Sequence, residues 1–211
     1  MQNAAIMTRQ TTLAGALWPS TGLARAVLLV AAGAVLLALS AKIKVPMFPV
    51  PMTLQTLVVA LLGATYGARL GIATVLAYVT MGAVGLPVFT NTPPQVASLA
   101  YLLGPTGGYI VGWMGAILLI ATLCRRGFDR SFPLLAAAIF AGSVVTFVCG
   151  VTWLALFAAL PTQTGLGFSK ALAAGYYPFI LGDLIKITLA AALVRAGWRF
   201  VEGRDSGSAP L

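Results

Sequence analysis

The chain has 211 residues, 60% of them hydrophobic and only 8% charged, with a formal net charge of +9. A soluble domain carries about 25% charged residues, and a globule this apolar would leave large greasy patches in water, so residence in a bilayer is the first inference. The basic balance reads as arginines at the cytoplasmic ends of spans and not as a nucleic-acid surface, because the charges are dispersed.

A helical span needs about 20 residues, so this length holds about six spans and no separate soluble domain. No Gly-rich loop runs into Lys-Ser or Lys-Thr, so energy must come from a gradient or a partner. Histidine is absent, and Cys124 and Cys149 are the two cysteines. A zinc site draws on His and Cys, so none is expected, and no other metal or cofactor either. The two cysteines fall roughly 20 Å apart in depth along their helices, beyond the ~7 Å that a disulfide bridges, so both are expected free.

Residues 1–22 read as a cytoplasmic tail. Arg9 is a weak basic start, but the apolar run from Leu13 to Trp18 is too short for a cleaved signal. The first span covers residues 23–41. A connection with Pro46, Pro49 and Pro51 then cannot continue the helix. The second and third spans cover 53–66 and 68–84, both short for a bilayer, and meet in a tight hairpin at Gly67 beside Arg69. Gly63, Gly67 and Gly71 repeat every four residues, the spacing that lets helices approach closely.

Residues 85–106 form the longest connection, with Pro87, Pro93, Pro94 and Pro105 and no charge. It is too apolar for a solvated loop and is expected to fold back onto the protein, where irregular backbone is tolerated at membrane depth. The fourth span covers 107–124 and leads into a basic loop with Arg125, Arg126 and Arg130. The fifth covers 134–160, a polar loop 161–169, and the sixth 176–198. Residues 199–211 read as a disordered cytoplasmic tail. The fold class is therefore all-α: an integral membrane bundle of six transmembrane helices over residues 23–198. With both termini inside, nine arginines lie inside and Lys42, Lys44 and Lys170 outside, which favours that orientation. Lys42 and Lys44 fit the rule poorly.

Two charges remain within the spans. Asp183 and Lys186 stand three apart on the sixth helix and project from one face. Each costs about 2.5–3.5 kcal/mol on insertion scales, and such residues default to function, though a structural ion pair between helices is the competing reading. Asp183 is acceptor-only and Lys186 donor-only. Together they match an N–H beside a carbonyl, as in a cyclic urea or an amide; Lys186 can instead meet a carboxylate. Asn91 both donates and accepts in the long loop, as a ligand contact or as a turn former. Gln55 is a weaker candidate that can simply join helices. The run from Gly104 to Tyr109 opens the fourth span, where paired glycines allow close approach of a ligand or a helix.

Three segments carry a resemblance. Residues 50–57 read VPMTLQTL, residues 104–109 read GPTGGY, and residues 178–186 read PFILGDLIK. In this order and spacing the chain resembles the BioY family, the biotin-specific S components of energy-coupling factor (ECF) transporters, over roughly residues 45–190. The resemblance implies a six-helix fold in a bacterial cell membrane that captures biotin from outside. It implies an ECF module as partner, one transmembrane coupling protein with two ATPases. Asn91, Asp183 and Lys186 fall where the family contacts biotin. Phe48, Phe89, Tyr109 and Tyr177 are aromatic candidates for walls around biotin's apolar bicycle. An Ala-rich face of the first helix, with Ala31, Ala34 and Ala38 and with Ala24 further back, is where the resemblance places docking of the coupling protein. The alternative reading is a stand-alone proton-coupled carrier for a vitamin-like solute with Asp183 as relay. An enzyme is not expected, because Asp183 is the one acid within the spans and no paired-carboxylate site can be assembled there.

Overall fold

The computed structural model describes residues 12–20, 22–94, 97–161 and 163–207. It is an all-α bundle. Helix α1 (Leu13–Leu17) precedes α2 (Leu23–Lys42), and a two-stranded antiparallel ribbon follows, with β1 (Lys44–Val45) pairing Lys44 with Thr53 of β2 (Met52–Thr53). Then come α3 (Gln55–Ala83), α4 (Gly107–Cys124), α5 (Phe132–Leu156), α6 (Phe168–Gly175) and α7 (Ile180–Gly207). Four of these, α2 to α5, are long and apolar enough to cross a membrane.

Helix α3 is a hairpin. Gly67 takes φ 77°, a conformation that a Cβ disfavours. Gln55 Nε2 donates to Tyr78 Oη at 2.8 Å, whereas an unbroken helix would separate these residues by about 35 Å. The two arms therefore run antiparallel, as the glycine and its neighbouring arginine suggested.

The hairpin aligns the rest. At one end, Leu13 packs on Gly197, Thr12 lies against Gly67, and Arg25 donates to Ala14 O at 2.9 Å. The α4–α5 turn joins this end, where Arg130 lies 3.5 Å over the Trp198 ring and pairs with Glu202 at 3.2 Å. These contacts explain two departures from the sequence reading. Residues 13–17 are helical and docked, their start capped by the Thr12 hydroxyl, which accepts from Gly15 N. Helix α7 runs on to residue 207, since Arg130 and Trp198 hold its last turns; of the expected disordered tail, residues 199–207 are helical and 208–211 lie outside the described residues.

At the other end gather the β-ribbon, residues 84–94 and 97–106, and the segment around α6. Trp153 Nε1 donates to Gly104 O at 2.9 Å and Ala159 N to Leu103 O at 2.8 Å, so the long apolar connection does fold back onto the bundle. Helix α5 ends at Leu156, short of the expected residue 160, and α6 starts in the expected loop and ends just before the expected sixth span. The α4–α5 pair is the tightest in the bundle. A Cβ on Gly112 would meet the backbone of Thr146, and Gly107 and Gly108 face Leu102 O and Trp153, so the glycines opening α4 serve packing.

Candidate functional site

A narrow cavity, partly open to solvent, lies toward the ribbon end of the bundle. Its walls come from the ribbon segment (Val50, Pro51, Thr53), both arms of α3, α4, α5 and α7.

Lys186 is the cation in this wall, and it is 7% exposed. Its Nζ donates to Thr53 O at 3.2 Å and to Thr56 Oγ1 at 2.7 Å. An ammonium has three donors, so one remains for a third partner. Around it the lining is mostly apolar and aromatic, including Tyr109, Phe147, Trp113 and Phe179. Tyr109 Oη donates to Gly175 O at 2.8 Å, which fixes its ring against α6.

The opposite side carries a buried polar network. Gln55 Nε2 donates to Tyr78 Oη, Tyr78 Oη to Val88 O at 3.3 Å, and the Thr90 hydroxyl to Gln55 Oε1 at 3.1 Å. Gln55, Tyr78 and Thr90 all line the cavity, and the bonds hold their polar atoms in fixed orientation.

Asp183 sits elsewhere. It lines a second, smaller cavity, and Lys186, Thr56 and Thr146 are shared between the two. Ser143 Oγ donates to Asp183 Oδ2. The competing reading, a direct Asp183–Lys186 ion pair, is not what forms: α5 offers Asp183 the Ser143 hydroxyl, and Lys186 takes Thr53 O of β2 and Thr56 Oγ1 of α3, while both side chains border the second cavity.

Of the other residues named from sequence, Gln55 and Tyr109 share the cavity with Lys186, and four residues do not line it. Phe89 is fully buried, stacked on Tyr101 at 4.5 Å and filling the hollow at Gly82. Tyr177 and Phe48 are 59% and 82% exposed. Asn91 is half-buried, and its Oδ1 accepts from Lys44 Nζ at 2.8 Å. The sequence reading missed Tyr78, Thr90 and Trp113. Tyr78 alone left a trace, as an aromatic with a hydroxyl deep in an apolar helix. On α2, Ala34 is 1% exposed and packed into the core, so it cannot belong to an open docking face; Ala31 is exposed and Ala38 half-buried.

The model of the BioY family matches residues 7–203. The chain belongs to the BioY family. A probable biotin transporter BioY of Pyrococcus horikoshii is 38% identical over 170 residues, covering 81% of this chain and 94% of the relative. The biotin transporter BioY of Rhizobium etli is 37% identical over 175 residues, covering 80% and 88%. The crystal structure of the S-component for biotin from an ECF-type ABC transporter superposes with a TM-score of 0.69 at 24% identity, over 82% of this chain and 90% of that one. Its fold is the fold of this BioY chain, a multi-pass integral membrane bundle.

Proposed function

We propose that this chain captures biotin at the cavity between α3, α4, α5 and α7 and delivers it across the membrane with a partner that supplies the energy. The observation that carries the reading is Lys186, a nearly buried cation with one unused donor, set in an apolar and aromatic wall. Biotin brings matching parts: an apolar bicycle for Tyr109, Phe147 and Trp113, and carboxylate and urea oxygens for an N–H donor. The names of the relatives support the same ligand. Asp183 adds a contact through the adjoining cavity, and Asn91 stands outside both cavities, on the turn that carries Thr90.

The orientation we infer has both termini in the cytoplasm and the cavity facing outward. The arginine-rich end of the bundle supports it, and Lys42 and Lys44 are reconciled with it by their bonds to the 89–92 turn. A cysteine replacing the exposed Ala100, in a background lacking Cys124 and Cys149, is expected to take an impermeant label in intact cells. Labelling only after lysis reverses the orientation.

The partner we infer is an ECF module, a coupling protein with two ATPases, because the sequence carries no phosphate-binding loop of its own. Its docking face is the outward side of α2, around Ala24, Ala31 and Val35, all exposed. The deciding experiment is equilibrium binding of labelled biotin to the purified chain. Lys186→Ala is expected to weaken it about 100-fold or more, the scale of removing a charge-assisted contact from a dry site. Asp183 keeps its bond from Ser143 but loses the nearby charge of Lys186, so folding is measured in the same preparation. A folded Lys186→Ala variant that binds like wild type refutes the site.

A further inference from the structure

Two lysines from the end of α2 and the start of β1 reach across to one short turn. Lys42 Nζ donates to Phe89 O at 2.7 Å and also to Thr92 O. Lys44 Nζ donates to Thr90 O at 3.1 Å and to Asn91 Oδ1 at 2.8 Å. Four oxygens of residues 89–92 thus converge on two ammonium groups. The sequence has no charged residue from Leu70 to Cys124, so the turn has no side-chain charge of its own to answer them.

The turn matters because of what it carries. Thr90 is part of the cavity wall, and its hydroxyl donates to Gln55 Oε1. Phe89, one residue earlier, is wedged between Tyr78 and Tyr101. Inside, then, the turn is anchored by an aromatic wedge and a threonine bond. Outside, Thr92 N and Oγ1 close the turn onto Phe89 O, and what ties it to α2 and β1 is the lysines' bonds to uncharged oxygens, both lysines being exposed. Such bonds exchange with water readily, unlike a buried wedge.

We propose that Lys42 and Lys44 are positioning residues for the ligand: they clamp the 89–92 turn so that Thr90 keeps its place in the cavity wall, and so slow the ligand's escape. The inference rests on biotin binding in this cavity. It assigns the two lysines to ligand retention and not to the ligand itself, since neither lines the cavity.

The test uses the full chain in detergent, loaded with labelled biotin and chased with unlabelled biotin. Lys42→Met combined with Lys44→Met is expected to speed dissociation about fivefold, the scale of one net hydrogen bond, with association changed less than about twofold. Replacing both lysines by Arg, which keeps the donors, is expected to restore slow release. In a Thr90→Val background the lysine changes are expected to add little, because both act through one contact. Unfolding without biotin is followed alongside. An unchanged dissociation rate overturns the clamp. So does faster release that Arg fails to rescue, tracks loss of the unliganded fold and adds fully to Thr90→Val. If the double variant does not fold, Lys44→Met alone carries the same comparison, and wild-type release from it is equally fatal. Wild-type protein that holds no biotin instead overturns the function proposed above, and this inference with it.

Discussion

Helices α2 and α4 are close in length and both strongly apolar, yet they occupy opposite places in the bundle. In α2 only 22% of the most apolar stretch is buried within the protein; in α4 the share is 61%. The difference lies in small residues. Helix α4 carries Gly107, Gly108, Gly112 and Gly115; the backbone of α5 comes up against Gly108 and Gly112, its Val145 side chain against Gly115, and Leu102 O against Gly107. Helix α2 has one glycine, Gly33, which receives Thr74 and Leu62 of α3. Without an oil–water difference to drive helices together in lipid, close packing decides which helix goes inside. Hydropathy says that a segment belongs in the membrane; glycine placement says where in the bundle it sits.

The sharpest way to break this contrast is to load the two faces of α2 separately. Ala34 faces the core at 1% exposure, so Ala34→Trp is expected to overpack it by about 1–3 kcal/mol or more and to lower unfolding temperature and biotin binding together. Ala31 is exposed. Ala31→Trp is expected to leave binding by the isolated chain within about twofold, an exposed change far from the cavity, and to abolish co-purification of the coupling protein. Loss of binding at Ala31 would give α2 a second buried face; retention of co-purification would move the docking surface elsewhere.

A smaller effect is expected where α4 hands over to α5. Asp129, in the turn Phe128–Arg130, is buried, and burial holds its carboxyl above the usual range, against the opposing pull of Arg130. The folded protein therefore keeps this proton to higher pH than the unfolded chain does. The corresponding stability is fully present below the unfolded value of about 3.9 and is lost as pH rises through the folded one. Asp129→Asn is expected to flatten the pH dependence of thermal unfolding in detergent above about pH 4. A profile as steep as wild type assigns the dependence to another group.

Much of this was legible beforehand, for identifiable reasons. Membrane residence followed from composition, and the hairpin from Gly67 beside Arg69, because a positive φ and a headgroup-seeking charge are both local. The return of residues 85–106 onto the protein followed from an apolar, uncharged run. What was not legible depended on partners distant in sequence. Lys186 answers to Thr53 and Thr56, more than 125 residues away, partners that its three-residue spacing from Asp183 could not reveal. Phe89 looked like a ligand wall and is a core wedge, because only the fold supplies the hollow at Gly82. Ala31 and Ala34 share an alanine-rich helix, and only its rotation within the bundle separates them.

The reversal at Gly67 also fixes a depth. Arg69 beside it is exposed and seeks the headgroup plane, which pins that end of the hairpin. The arm over residues 55–66 then rises about 18 Å, against a hydrocarbon thickness of about 30 Å. Gln55 consequently falls short of the far leaflet's surface. The membrane protein has a recessed floor, and a solute reaching it has left bulk water and sunk partway through the barrier before any part of the bundle needs to move.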